Sequence, residues 1–168
     1  MSMVLAFTFL IFLIFFTIIL YNKDKIRQRQ SLLRYGKEVE KEAQMAFQMV
    51  APKHWDYKFN LFKKEWHTDL DIYITYPFKC VIDIKSASGY VFDKNKNIVK
   101  KKDGKVLYNQ GNIIRQLKIT KANYIVIWCP NAREQSLYTQ PTNYGAIIIC
   151  NGDAYYLVSF LNKMFAHR

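Results

Sequence analysis

Two aspartates and a lysine have the types and the spacing of a metal-dependent phosphodiesterase site. Asp71 lies in one alternating apolar segment, and Asp83 and Lys85 lie in the next. A hairpin turn centred near Pro77 places Asp71 opposite Asp83, with Cβ atoms ~4.5–5.5 Å apart, where like charges repel. A divalent cation would turn that repulsion into ligation, because Mg²⁺ binds carboxylate oxygens. Lys85 comes two residues after Asp83 and therefore points to the same face of its strand.

The same three residues also have structural interpretations. Asp71 could end a strand or bond a loop amide. Asp83 lies among Val81, Ile82 and Ile84, and a buried carboxylate needs a partner. Lys85 could be that partner in a purely structural ion pair, since such pairs perturb ionisable groups as active sites do.

The N-terminal segment predicts a membrane anchor. Residues 3–21 carry no charge and are almost entirely apolar. About 19 helical residues span ~28 Å, close to the hydrocarbon thickness of a bilayer. A cleaved signal peptide would have a basic segment before the apolar run and small residues at its end, and neither is present. A buried core helix would be apolar on one stripe only. We therefore expect one uncleaved N-terminal transmembrane helix over residues 1–21.

The charges that follow predict a topology. Lys23, Lys25, Arg27 and Arg29 come directly after the apolar run, and basic residues beside a membrane span stay in the cytoplasm. They predict a single-pass protein with its N-terminus outside and its soluble domain cytoplasmic. Anionic lipid is a further candidate partner for residues 23–29. The expected organisation is a transmembrane anchor at 1–21, a basic juxtamembrane helix at 22–33 and one domain at 34–168.

Charge and cysteine content narrow the classes of partner. The net charge is +12, and every charged side chain lies after residue 21. Such a charge indicates a polyanionic partner, either nucleic acid or an anionic membrane surface, or serves solubility alone. Six lysines that follow the aspartate pair are candidates for phosphate contacts, with a solvated hairpin as the alternative. They are Lys94, Lys96, Lys100, Lys101, Lys102 and Lys105. Cys80, Cys129 and Cys150 lie in apolar segments and are expected to be reduced core thiols.

The remaining pattern predicts an α/β sandwich around a mixed sheet. We expect a helix at 24–50 that ends before Pro52, and a second helix at 109–121. An Asp103-Gly104 turn is expected to close a hairpin. Strands are predicted at 57–63, 69–76, 80–85, 97–99, 105–107, 124–128 and 145–150, and a last helix at 153–165. Asp153 is the expected N-cap of that helix.

This order of elements and motifs resembles the PD-(D/E)xK nuclease superfamily, and within it the nuclease-related domain called NERD. The likeness covers residues 34–130. The segment Gly36-Lys37-Glu38-Val39-Glu40 resembles the family's motif on the first helix, with Glu40 in the acidic position. Glu38 and Glu42 flank Glu40. The strand motifs are Leu70-Asp71 and the segment from Val81 to Gly89, and the second helix begins Asn112-Ile113-Ile114-Arg115-Gln116. Asp83 stands where the family usually has Glu.

The resemblance implies a restriction-endonuclease-like core of a helix, a three-stranded antiparallel meander, a helix and a strand. It implies a Mg²⁺- or Mn²⁺-dependent endonuclease acting on DNA or RNA, with DNA favoured. Asp71, Asp83 and Glu40 would hold the metal. Lys85 would position the attacking water, and Gln116 would orient the lysine, the water or the nucleic-acid backbone. The alternative is a catalytically silent, membrane-tethered module that binds nucleic acid.

Overall fold

The computed structural model describes residues 3–64, 68–106 and 110–166. Contacts between Cα atoms divide the chain into two units, Met1–Lys37 and Glu38–Arg168. The first unit is helical throughout its described residues. The second contains every described strand and all the candidate site residues.

Within the described ranges, three helices and eight strands follow one another. They are α1 Met3–Val50, β1 Asp56–Lys63, β2 Thr68–Tyr76, β3 Cys80–Ile84, β4 Tyr90–Phe92, β5 Ile98–Lys100, α2 Gln110–Thr120, β6 Tyr124–Cys129, β7 Ser136–Thr142, β8 Gly145–Asn151 and α3 Ala154–Ala166. The helix predicted to end before Pro52 ends at Val50, because proline cannot continue the backbone ladder. Asp153 caps α3 as predicted, since its Oδ1 accepts a 2.8 Å hydrogen bond from the Tyr156 amide.

The predicted membrane anchor is wrong. In the part of the chain that the structure describes, no helix is both long enough and apolar enough to cross a bilayer. A helix that crosses a bilayer needs ~20 consecutive, predominantly apolar residues. The single-pass topology, with its outside N-terminus and cytoplasmic domain, was derived from that anchor and is wrong with it.

The main sheet is mixed and six-stranded, in the order β1-β2-β3-β6-β8-β7. β1, β2 and β3 form an antiparallel meander, β6 is parallel to both β3 and β8, and β7 returns antiparallel to β8. The predicted α/β class and mixed sheet are therefore confirmed. β7 was not predicted, because its polar residues and Pro141 lack an apolar run. Proline is tolerated there since β7 is an edge strand.

Helices cover both faces of this sheet. On one face, Ala43 and Phe47 of α1 and Leu157 and Leu161 of α3 pack around Trp128. On the other face, Ile113 and Leu117 of α2 pack on the central strands. All residues of β6 are buried, as expected for a central strand with both faces covered. The carboxyl ends of β3, β6 and β8 consequently lie side by side at one end of a rigid sheet.

A small second sheet, β4 and β5, follows β3. Asp93 organises its turn by accepting hydrogen bonds at 2.8 Å from the amides of Asn95 and Asn97. The predicted Asp103-Gly104 turn is also present, and it brings Val106 opposite Val99. The strand predicted at 105–107 is reduced to that single bridge, and residue 107 lies outside the described ranges.

Candidate active site

The β2–β3 hairpin brings Asp71 and Asp83 together. Its register pairs Ile74 with Cys80 and Ile72 with Ile82, and the same register places Asp71 opposite Asp83. The backbone pairing of β2 with β3 extends as far as Ile72 and Ile82. Beyond it, the Ile84 amide donates a 2.6 Å hydrogen bond to the side-chain Oδ2 of Asp71. One carboxylate oxygen of Asp71 is thereby fixed against the end of β3.

The backbone around Asp71 is also held from the other side. β1 pairs with β2 at Phe59–Ile72 and at Leu61–Leu70, but the intervening Asn60 has φ 49°. Asparagine tolerates this left-handed conformation better than most residues. Gln44 of α1 takes over the bonding, because its Nε2 lies 3.0 Å from the Asp71 carbonyl oxygen and 2.8 Å from Asn60 Oδ1.

Sequence reasoning missed both Gln44 and Asn60. The only signals were an asparagine inside a strand pattern and a glutamine one turn after Glu40 on the helix face that carries Ala43 and Phe47. Gln44 is buried with them. A buried polar side chain needs hydrogen-bond partners, and here those partners are the residues that position Asp71.

Asp83 and Lys85 form a close ion pair. Lys85 Nζ lies 2.6 Å from Asp83 Oδ1, and the two side chains are 22% and 18% exposed for Asp83 and Lys85 respectively. The Lys85 amide donates to the Trp128 carbonyl at 2.8 Å and so extends the β3–β6 pairing by one residue. The ammonium group is therefore held at the end of the sheet by both its strand and its partner.

Burial and mutual repulsion shift the acidity of the pair. Burial, with the charges of Asp83 and Glu40, raises the pKa of Asp71 to about 7, against the opposing effects of the Ile84 amide and Lys85. Burial also raises the pKa of Asp83, while Lys85 and a hydrogen bond with Asp71 act in the other direction. A neighbouring carboxylate disfavours the charged form of Asp71, and an added cation would favour it.

Glu40 is the helix carboxylate nearest this pair. It lies half-buried on α1, whereas Glu38 and Glu42 are exposed. Its Oε1 accepts a 3.4 Å hydrogen bond from Gln44, and its charge contributes to the raised pKa of Asp71. The structure therefore brings four of the predicted site residues into one electrostatic group: Glu40, Asp71, Asp83 and Lys85.

Gln116 lies on α2, the helix that packs on the sheet face containing Val81 and Cys129. It is half-buried on α2, and its carbonyl accepts a 2.7 Å hydrogen bond from the Thr120 hydroxyl. Its role in orienting the lysine or the substrate stays a prediction.

The six candidate phosphate-binding lysines differ in their environments. Lys94 and Lys96 are exposed on the β4–β5 turn, and Lys102 and Lys105 are exposed after β5. Lys100 Nζ lies 3.9 Å from Asp103. Lys101 is half-buried and its Nζ donates a 3.0 Å hydrogen bond to Ser136 Oγ. Lys101 thus has a structural partner that its neighbours in sequence do not share.

The donor set suits a divalent cation that keeps several waters. Mg²⁺ is commonly held by one or two carboxylates together with water and phosphate oxygens. Asp71 and Asp83 can supply two carboxylates. Within residues 3–64, 68–106 and 110–166, no three His, Cys, Asp or Glu side chains form a group that could hold a metal. Two carboxylates are the number with which proteins commonly hold a cation of this kind.

Replacing Gln44 by alanine is expected to destabilise the protein by about 1–3 kcal/mol, because the Asp71 carbonyl and Asn60 Oδ1 lose a buried donor. Urea unfolding of the full-length protein measures this. Gln48→Ala is the matched control, since Gln48 lies one turn later on α1 and is exposed. Equal losses in the two variants would show that the network contributes nothing.

Comparison with known proteins identifies no family. The sequence matches no family model, and no curated protein is significantly similar to it.

Proposed function

We propose that the protein is a metal-dependent nuclease that hydrolyses phosphodiester bonds of DNA or RNA, with Mg²⁺ or Mn²⁺ held by Asp71 and Asp83. One observation carries the proposal. Two carboxylates are held side by side, against their mutual repulsion, with an ammonium group 2.6 Å from one of them. Nothing in the stability of the sheet requires that arrangement, since like charges opposite each other disfavour strand pairing.

The residues would divide the chemistry among them. When bound, a divalent cation supplies positive charge at the scissile phosphate and lowers the pKa of the attacking water. Asp71 and Asp83 would hold it, with Glu40 adding negative charge nearby. Lys85 would stabilise the charge that develops on the phosphate, and it is effective because its position is fixed before substrate arrives. Gln116 is retained as a candidate for orienting the nucleic-acid backbone.

The order of elements supports this proposal. The resemblance to PD-(D/E)xK nucleases implies a helix, an antiparallel meander of three strands, a second helix and a further strand. α1, β1–β3, α2 and β6 follow that order, with the β4–β5 hairpin between β3 and α2. Membership of that superfamily, and of its NERD branch, is part of the proposal.

A second candidate is a module that binds nucleic acid without cutting it. Two observations favour it. Lys85 is already engaged by Asp83, and no group of three metal-binding side chains occurs in the described ranges. The exposed lysines of the β4–β5 region would act alike in either case, since phosphate contacts supply sequence-independent affinity.

Nuclease assays on the full-length protein separate the two candidates. We expect closed circular DNA to be nicked with Mg²⁺ or Mn²⁺ and left intact in chelator. Nicking of a closed circle also identifies an endonuclease, because an exonuclease needs an end. Asp83→Asn should abolish cutting, since a neutral amide is a poor ligand for a hard dication. Asp69→Asn is the matched control, because Asp69 is exposed on β2.

Two outcomes would contradict the nuclease proposal. DNA and RNA that are bound but never cut, with either metal, would support the binding module instead. Equal cutting by Asp83→Asn and Asp69→Asn would place the activity outside this site.

A further inference from the structure

The carboxyl end of the sheet aligns four residues in one row. β3 pairs with β6 at Ile84–Trp128, so Lys85 lies beside Cys129. β6 then pairs Cys129 with Asn151, and β8 pairs Asn151 with Ser136. Neighbouring strands are ~4.8 Å apart, so Asn151 lies ~10 Å and Ser136 ~14 Å from Lys85 along this row. Laterally paired residues point to the same face of a sheet, which is the face of the site.

Asn151 and Ser136 attach the β4–β5 hairpin to the end of this row. The fully buried Asn151 side chain accepts from the Tyr90 amide at 2.9 Å and donates to the Tyr90 carbonyl at 2.8 Å. It also donates to Ser136 Oγ at 3.0 Å, and Lys101 Nζ donates to the same oxygen at 3.0 Å. We call Asn151, Ser136 and Lys101 the hairpin anchor.

The backbone at Gly89 comes too close to Asn151 and Lys101 for a residue that has a Cβ atom. Gly89 has φ +134°, and a Cβ there would lie 3.0 Å from Asn151 Oδ1 and 3.1 Å from Lys101 Cδ. The Lys101 amide also donates to the Gly89 carbonyl at 3.1 Å. Glu134 lies 3.6 Å from Lys101 Nζ and is 84% exposed, so it adds little to the anchor. The hairpin is consequently bound at both of its ends to the sheet that carries Asp83 and the other candidate site residues.

We propose that the hairpin anchor holds the β4–β5 region as a track for a phosphate backbone, and that the substrate is therefore a polynucleotide strand. This inference rests on the proposed nuclease function. Lys94, Lys96, Lys102 and Lys105 are the exposed members that would contact phosphates. Lys101 is a positioning residue and is not among the lysines proposed to bind phosphate.

The distances define how long the substrate must be. In a double helix each strand carries one phosphate per ~3.4 Å of helix axis, so 10–14 Å along the axis corresponds to about three to four phosphates of one strand. A substrate shorter than that would reach Lys85 without reaching the track.

Ser136→Ala tests the anchor with little risk to the fold, since Ser136 is half-buried and its hydroxyl is the junction of the two hydrogen bonds. We expect the KM for a 20-nucleotide DNA strand to rise about threefold to tenfold, because the hairpin must be ordered when substrate binds. kcat should stay within about twofold. Bis(4-nitrophenyl) phosphate is too short to contact the β4–β5 lysines, so its hydrolysis should be unchanged. Ser136→Thr should restore most of the affinity.

Thr139→Ala is the matched control, because Thr139 is an exposed hydroxyl residue on the same strand. Equal losses on the long and the small substrate, or no rescue by Ser136→Thr, would overturn the anchor as a positioning device. If the wild type hydrolyses neither substrate, the nuclease proposal fails, and binding decides the anchor separately. Wild type should then bind the 20-nucleotide strand about tenfold more tightly than a trinucleotide, and Ser136→Ala should reduce that preference. Equal affinity for both lengths would refute the track.

Discussion

Replacing Lys85 by alanine is expected to lower kcat for DNA hydrolysis about a hundredfold to a thousandfold, with the affinity for DNA changed less than about threefold. A single preorganised donor is worth this much when it acts where charge develops in the transition state. Affinity should be nearly unaffected because several exposed lysines share the phosphate contacts and each contributes a small part. The effect therefore belongs to kcat rather than to KM.

Single-turnover kinetics with Mg²⁺, together with DNA binding in chelator, measure the two quantities separately. Lys79→Ala is the control, since Lys79 is an exposed lysine at the opposite end of β3. The fold is checked by unfolding both variants in urea. Full activity in Lys85→Ala would remove the lysine from the mechanism.

Loss of folding in Lys85→Ala would instead show that the pair is structural. Removing one partner leaves the half-buried Asp83 charge uncompensated, whereas removing both partners does not. The double variant Asp83→Asn with Lys85→Met should consequently be more stable than Lys85→Ala. It should still be inactive if the site is catalytic.

Local patterns predicted the parts of this site that depend on neighbouring strands. Alternation along β2 and β3, with a turn near Pro77, is enough to place Asp71 opposite Asp83, because a hairpin register follows from its turn. The Asp153 cap and the Asp103-Gly104 turn are equally local. Each of these features involves residues close together in the sequence, where few alternative pairings compete.

Features that depend on distant segments were not predictable. Gln44 meets Asp71 across 27 positions, and nothing near either residue indicates the contact. The six lysines look equivalent in sequence, yet Lys101 differs because Ser136, from another strand, accepts its hydrogen bond. The prediction of a membrane anchor failed for a related reason. An apolar composition over residues 3–21 indicates a preference for burial but does not specify what covers the segment.

Asp71→Asn is expected to remove the pH dependence that this residue imposes on stability. The carboxyl has a pKa of about 7 in the folded protein and 3.8 as its ordinary value, so the folded state binds the proton more tightly. Its stabilising contribution is complete below about pH 4 and is lost as the pH rises to about 7. This corresponds to at most about 4 kcal/mol, and to less for a half-buried group. In chelator at pH 8, Asp71→Asn should therefore be more stable than the wild type.

Urea unfolding of the full-length protein at pH 5, 6, 7 and 8 tests this, with Asp69→Asn as the exposed control on β2. The difference between Asp71→Asn and wild type reports Asp71 together with its interaction with Asp83, because every other ionisable group is common to both. It should grow from pH 5 to pH 7 and then remain level. A constant difference, or one that shrinks with pH, would mean that Asp71 is not a strained carboxylate.

Metal should remove the same strain. At pH 8, Mg²⁺ at ten times its dissociation constant should stabilise the wild type by about 1.4 kcal/mol, because it binds the folded state only. Asp71→Asn should gain almost nothing, since it has lost one of the two carboxylates and with it the repulsion that favours a cation. Equal stabilisation of wild type, Asp71→Asn and Asp69→Asn by Mg²⁺ would show that the cation binds elsewhere. The raised pKa of Asp71 would then reflect burial alone.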